Sequence, residues 1–305
     1  MFQSGPGRSL VSLSVVLIVC GSSQVHAQDM EDVQVEASYV AGGIYMLTGQ
    51  GGNIGLSVGE DGPFLIDDQY APLTEKVRMA IAAITDGEVE FVLNTHWHGD
   101  HTGGNENLGA TGTLIVAHEN VRRRMQSEQF QELFNRRTPA SPDGALPVIT
   151  FTDAATFHWN DETIRAVHVA HAHTDGDAII YFETANVFHM GDTFWNGLYP
   201  FIDVSSGGSI HGMIEAANRV LSLATSNSYI IPGHGPIGDV DDLRAYRDML
   251  VNARDRIQTL INDGFTEDEI VRRRPTAATD EQWGGGFINP EQFARLTYRG
   301  LVATR

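Results

Sequence analysis

The chain has 305 residues, 42% of them hydrophobic and 9% aromatic, which is enough for one large domain or two small ones with a substantial core. Acidic residues outnumber Lys and Arg by 39 to 20, giving a net charge of −19. That balance argues against nucleic acid and anionic lipid as partners and points to a solvated acidic surface and a small-molecule substrate.

In chain order, the first segment reads as an export signal. Met1–Ser9 is polar with Arg8 as its charge, and Leu10–Val19 is apolar but too short to span a bilayer. Residues 21–27 then end in small side chains suited to cleavage after Ala27. Lipidation at Cys20 is the alternative, disfavoured by the bulky Val19 before it. Cleavage predicts a periplasmic or secreted domain of residues 28–305, with no membrane insertion once the signal is gone. Cys20 is the one cysteine. Its removal excludes disulfides, thiolate ligands and a cysteine nucleophile, so any metal site must use His, Asp or Glu.

Strands are predicted at Val33–Tyr39, Ile44–Leu47, Asn53–Ser57 and Phe64–Asp67, separated by Gly-rich turns. Leu73–Ile84 has helical spacing, Phe91–Leu93 and Thr113–Val116 read as strands, and His118–Asn135 reads as a helix followed by a Pro-containing loop, Thr138–Pro147. The second half offers strands at Ile149–Phe151, Ala155–Trp159, Thr163–Val169, Ala178–Phe182, Val187–Met190 and Tyr229–Ile231. Helices are predicted at Ile210–Ala224, Asp241–Asp263, Thr266–Arg274 and Pro290–Leu301. No linker divides the chain. Two sets of strands with flanking helices predict a layered α/β domain.

The polar clusters follow strand ends, where chemistry is commonly mounted. After Phe91–Leu93 comes Asn94-Thr95-His96-Trp97-His98-Gly99-Asp100-His101. His96 and His98 are two apart, so both point one way in an extended segment, and Asp100 and His101 follow at once. Three imidazoles and a carboxylate in six residues are hard to explain as packing, and both are zinc ligands that work without sulfur. One cluster cannot close a metal shell. The remainder is offered by His171-Ala172-His173-Thr174, Gly191-Asp192-Thr193 and Pro232-Gly233-His234-Gly235.

The run Thr95–Gly104, with His173-Thr174, Gly191-Asp192-Thr193 and Gly233-His234-Gly235 in that order, resembles the motifs of the metallo-β-lactamase superfamily. The resemblance spans Val33 to Asp239. It implies a four-layer αββα sandwich and two zinc ions. His96, His98 and His173 are implied for the first ion, Asp100, His101 and His234 for the second, and Asp192 as the bridging carboxylate of the glyoxalase II-like branches. It also implies hydrolysis, in which water acidified by the ions attacks a carbonyl carbon while Asp100 orients it and shuttles its proton.

The sequence departs from the best-known β-lactam-hydrolysing branch in two ways. That branch has a cysteine in the second metal site, and a lysine three residues later that holds the substrate carboxylate. Here Asp192 or His101 must serve, and Trp195 stands at the lysine position. The run Gly191-Asp192-Thr193-Phe194 looks like glyoxalase II, whose basic glutathione-binding residues are not identifiable in the C-terminal part. A β-lactam amide leads as the expected substrate, with a thioester, lactone or other ester as the alternative. A di-iron redox protein and a non-catalytic metal-binding protein are the remaining classes.

His171 competes with His173, and the motif favours His173. His118, His158, His168, His189 and His211 read as core or surface histidines. Trp97, Phe194, Trp195 and Tyr199 read equally as pocket lining or core packing.

Overall fold

The computed structural model describes Met1 and residues 30–303. The signal segment and Cys20 lie outside the described residues. Met1–Asp32 and Val33–Arg305 are separate units, and the sheets and helices belong to the second.

Two sheets form the centre. The first has seven strands: β1 (Glu36–Ala41), β2 (Ile44–Thr48), β3 (Ile54–Ser57), β4 (Phe64–Ile66), β5 (Phe91–Asn94), β6 (Leu114–His118) and, at its far edge, β9 (Ile149–Phe151). Its first four strands are antiparallel, and β4, β5, β6 and β9 are parallel. The second sheet has the order β10 (Ala154–Trp159), β11 (Glu162–His168), β12 (Ala178–Phe182), β13 (Val187–His189), β14 (Tyr229–Ile231), with only the β13–β14 pair parallel.

The period-2 alternation of strand side chains decides the layering. Phe64, Ile66 and Leu93 point inward and meet Ile180, Phe182, Val187 and Ile231 of the second sheet in one apolar cluster. Their neighbours Leu65 and Val92 point outward, onto Val77 and Ile81 of helix α1 (Thr74–Ala82). On the other side, Ile179, Phe188 and Ile230 cover a cluster built with α5 (Ile210–Leu223), α6 (Val240–Asn262) and α9 (Pro290–Ala303). Three apolar interfaces make four layers, the αββα arrangement expected. The remaining helices are short: α2 (Gly99–Thr102), α3 (Asn105–Gly109), α4 (Glu119–Met125), α7 (Glu267–Arg272) and α8 (Asp280–Trp283). Among the described residues no helix is long and apolar enough to cross a membrane.

One element differs from the sequence reading. The helix expected over His118–Asn135 stops at Met125, and the chain turns into a hairpin of β7 (Gln129–Gln131) and β8 (Arg136–Thr138). Gln129 Nε2 donates to the carbonyls of Arg124 and Ser127, which satisfies the helix end and stops its propagation. Asn135 takes the left-handed conformation at φ 47° and closes the hairpin. The polar spacing that suggested a helix belongs to a strand pair reaching over the strand ends where the histidines gather.

Candidate metal centre

Four loops converge at one rim of the sandwich. The loop after β5 brings His96, His98, Asp100 and His101, and the loop after β11 brings His173. The turn after β13 brings Asp192, and the turn after β14 brings His234. Every predicted ligand arrives. One ligand atom each from His96, His98, His173 and Asp192 lie within 4.8 Å of one another, and the same holds for Asp100, His101 and His234. Asp192 faces both groups. Its Oδ2 lies 3.9 Å from His96 Nε2 and 3.5 Å from His173 Nε2, while Oδ1 lies 3.1 Å from His101 Nε2 and 3.4 Å from His234 Nε2. Asp100 Oδ2 stands 3.6 Å from His101 Nε2 and 3.4 Å from His234 Nε2.

The outward nitrogens fix the tautomers. His173 Nδ1 is 2.7 Å from the Phe201 carbonyl, which can only accept, so that nitrogen carries the proton. His101 Nδ1 donates to Asp67 Oδ2 at 2.7 Å, and His98 Nε2 donates to Asp203 Oδ2 at 3.0 Å. Thr95 Oγ1 donates to Asp67 and therefore accepts from His96 Nδ1 at 3.0 Å. In each neutral ring the bare lone pair then points inward. His98 Nδ1 and His173 Nε2 face each other at 2.8 Å with no proton assigned between them. His96 Nε2, His101 Nε2 and Asp192 Oδ1 are buried without a hydrogen bond. A set of acceptors converging on one point is satisfied by a cation. The donors are all nitrogen and oxygen, and each of the two groups fits a metal ion that takes imidazole and carboxylate ligands.

The electrostatics agree. Burial pushes His96 well below its ordinary value and His173 to about 4, so both are neutral imidazoles, the form that binds metal. In the second group burial would also push down, but Asp192 and Asp100 overcome it, raising His101 and lifting His234 to about 9. The field there calls for positive charge.

Two carboxylates that sequence reading missed hold the ligands in place. Asp67, at φ 63°, accepts from Thr95 N, Thr95 Oγ1 and His101 Nδ1. Asp203 accepts from His98, Ser205 Oγ and Ser206 Oγ. Burial pushes the Asp203 carboxyl up, and those bonds more than reverse it, holding it below the usual carboxylate range. The signal for Asp67 was its place at the end of a predicted strand; for Asp203 there was none.

The other histidines stay apart. His171 is exposed, at φ 54°, and bonds the Gly207 carbonyl. His189 is fully buried between Asn53 O and Gly191 N, and burial drops it to about 4. His118 and His168 stack on each other at 3.8 Å. Trp97 and Trp195 line the cleft over the centre, whereas Phe194 and Tyr199 pack in the core. Trp195 packs against His234 with ring centroids 4.2 Å apart and the planes tilted by 34°.

Residues 47–252 match the profile of the metallo-beta-lactamase superfamily. The chain belongs to the metallo-beta-lactamase superfamily. Within it, the chain is 28% identical over 158 residues to the lactamase-like protein aptB of Emericella nidulans, covering 52% of this chain and 41% of that protein. It is 26% identical over 198 residues to an atrochrysone carboxyl ACP thioesterase of Aspergillus fumigatus, covering 65% and 38%. The chain thus spans less than half the length of these curated relatives. A metallo-beta-lactamase from Pontibacter korlensis superposes with TM-score 0.59 at 19% identity, over 72% of this chain and all of that one. The sec-alkyl sulfatase PisA1, as a double mutant, reaches TM-score 0.66 at 17% identity, over 92% of this chain and 52% of that one. These structures share the fold. Superfamily membership and the two histidine–aspartate groups mark this rim as a candidate metal centre.

Proposed function

We propose that the chain hydrolyses an ester or thioester carbonyl at a centre of two zinc ions and does so outside the cytoplasm. The observation that carries the two-ion reading is Asp192, whose oxygens divide between the two ligand groups. His96, His98 and His173 would hold one ion, and Asp100, His101 and His234 the other, with Asp192 between. When bound, the ions supply a water acidified into the neutral range and an electrophile for the substrate oxygen.

The chain's own groups do the rest. Asp100 lines the cleft with its side chain 21% exposed and is the carboxylate placed to orient water and carry its proton. Trp97 and Trp195 exclude water from the floor of the cleft. Asp67 and Asp203 keep the imidazoles from turning. The relative named as a thioesterase supports the choice of carbonyl ester over amide.

β-Lactam ring opening is the second reading. It leads in the sequence, and the fold is shared with a metallo-beta-lactamase along that enzyme's whole length. Against it stands Trp195, buried against His234 where a lysine would hold the carboxylate. Export rests on the pattern of residues 1–27.

Zinc-loaded and chelated protein assayed in parallel on S-lactoylglutathione, a simple lactone and nitrocefin tests the reading. Turnover of the thioester or lactone that disappears with chelation and returns with zinc is expected. Turnover that survives complete metal removal would refute it.

A further inference from the structure

The cleft over the centre encloses about 610 Å³. Its wall is an aromatic ladder that starts at the ligands. Phe201 stacks on His98 at 5.7 Å, Phe134 lies 5.1 Å from Phe201, and Phe287 lies 5.2 Å from Phe134 at the rim. Phe287 is 64% exposed and continues the aromatic wall to the mouth of the cleft. Phe134 sits in the turn of the β7–β8 hairpin. That hairpin packs against the centre, with Gln131 Nε2 3.1 Å from His98 Nε2, and is paired with α9 through Glu132 and Arg299, 3.3 Å apart.

Two residues beyond Phe134, the same hairpin carries Arg136, among the described residues the one arginine lining the cleft. The other hairpin arginine, Arg137, is paired with Glu128, and Arg124 at the helix end is paired with Asp175. Arg136 is exposed, and among the described residues it forms no salt bridge, in a chain with nearly two acids per base. A guanidinium left without an ion pair in a cleft with an aromatic wall is arranged for an anion whose oxygens accept from its paired N–H groups.

We propose that Arg136 is a specificity-determining residue, and that the substrate is an aromatic ester or thioester whose ring system carries a carboxylate or sulfonate remote from the reacting carbonyl. The ring lies along Phe201, Phe134 and Phe287, and the anion meets Arg136. The substrate is thereby gripped from the hairpin wall, not from the strand that carries Trp195. This rests on the hydrolytic reading only for the bond cleaved, not for the recognition.

Two measurements test it. The first compares kcat/KM for phenyl 3-(4-carboxyphenyl)propanoate and its 4-carbamoyl counterpart, which share the reacting ester. The wild type is expected to favour the carboxylate on the order of tenfold, chiefly in KM. Arg136→Ala removes that preference, Arg136→Lys keeps part of it, and Arg136→Glu reverses it. The second is calorimetric binding of biphenyl-4-sulfonate against methyl biphenyl-4-yl sulfone, which needs no turnover. The sulfonate should bind the tighter, with the difference lost in Arg136→Ala and reduced by salt. Arg136-dependent sulfonate binding without ester turnover would sink the hydrolytic reading and leave this one standing. Turnover with no preference between the esters, or equal or absent binding of the two biphenyl probes, overturns this proposal.

Discussion

At the scale of single residues, the centre depends on carboxylates that each serve more than one partner. Asp192 is buried and spans both ligand groups, and the charged imidazoles of His234 and His101 hold it ionised against burial. Asp192→Asn keeps the shape and removes half the anionic donors, so the metal content of dialysed protein should fall from about two ions per chain to about one. Unchanged stoichiometry by elemental analysis would exclude the bridge. Asp67 acts through His101. Replacing it with Asn removes a charged acceptor from His101 Nδ1, and chelator competition should show the ion at His101 held about 10–100-fold more weakly, with a smaller loss at the other, which Asp67 reaches only through Thr95 and His96. The seven residues that meet at the rim were legible in the sequence because they sit in short motifs with fixed neighbours. Asp203 was not, because its partner His98 is 105 residues away in the chain and nothing local marks it.

At the scale of elements, glycine turns and helix ends carry constraints that sequence suggests only as "turn". Gly52, between β2 and β3, donates its N–H to the Asp100 carbonyl, and a Cβ there would fall inside the His101 ring. Its φ is ordinary, so the requirement is for space, not conformation. Gly52→Ala should cost about 1–3 kcal/mol by overpacking and displace His101. Gly285→Ala, with open space around it, serves as the control. A thermal melt showing equal losses for the two would contradict the packing account. His118 closes β6 and caps α4: its Nδ1 accepts from Asn120 N at 3.2 Å, and its Nε2 donates to the Thr152 carbonyl at 2.8 Å. Burial, helped by His168, lowers its pKa from 6.5. The unfolded chain therefore takes up this proton first as pH falls. The stability it contributes is present above pH 6.5 and is lost as pH drops from there through the lower folded value. Melting curves between about pH 7.5 and 5 should fall more steeply for wild type than for His118→Asn, which keeps a capping acceptor. Parallel slopes would count against it. The β7–β8 hairpin escaped the sequence reading because Gln, Glu and Arg suit an exposed helix as well as a two-stranded arm; the decision is made by Gln129 at the helix end and by Asn135.

At the scale of the whole molecule, the layered fold was readable because alternation in β4, β5, β12 and β13 assigns one face inward and one outward. What no periodicity records is how the two sheets are joined at the rim. His96, His98, Asp100 and His101 hang from the first sheet, whereas His173, Asp192 and His234 hang from the second. Metal bound by all seven would cross-link the sheets at the open end of the sandwich. Without it, protonated His101 and His234 offset the two carboxylates, but the inward lone pairs of His96, His98 and His173 face one another unpartnered, and that opposes closure. A ligand bound only by the folded state adds stability that grows with the ratio of its concentration to Kd, about 4 kcal/mol at a thousandfold ratio. In a domain of this size that corresponds to a melting temperature higher by on the order of 10 °C. Chelation should remove this increment and zinc restore it. Hydrogen exchange should locate the loss at residues 94–104 and 191–196, with α6 remaining protected, since its contacts lie on the far side of the second sheet. If chelation leaves both the melting temperature and the exchange of the rim unchanged, the ions do not join the sheets and the ligand set is held by protein contacts alone.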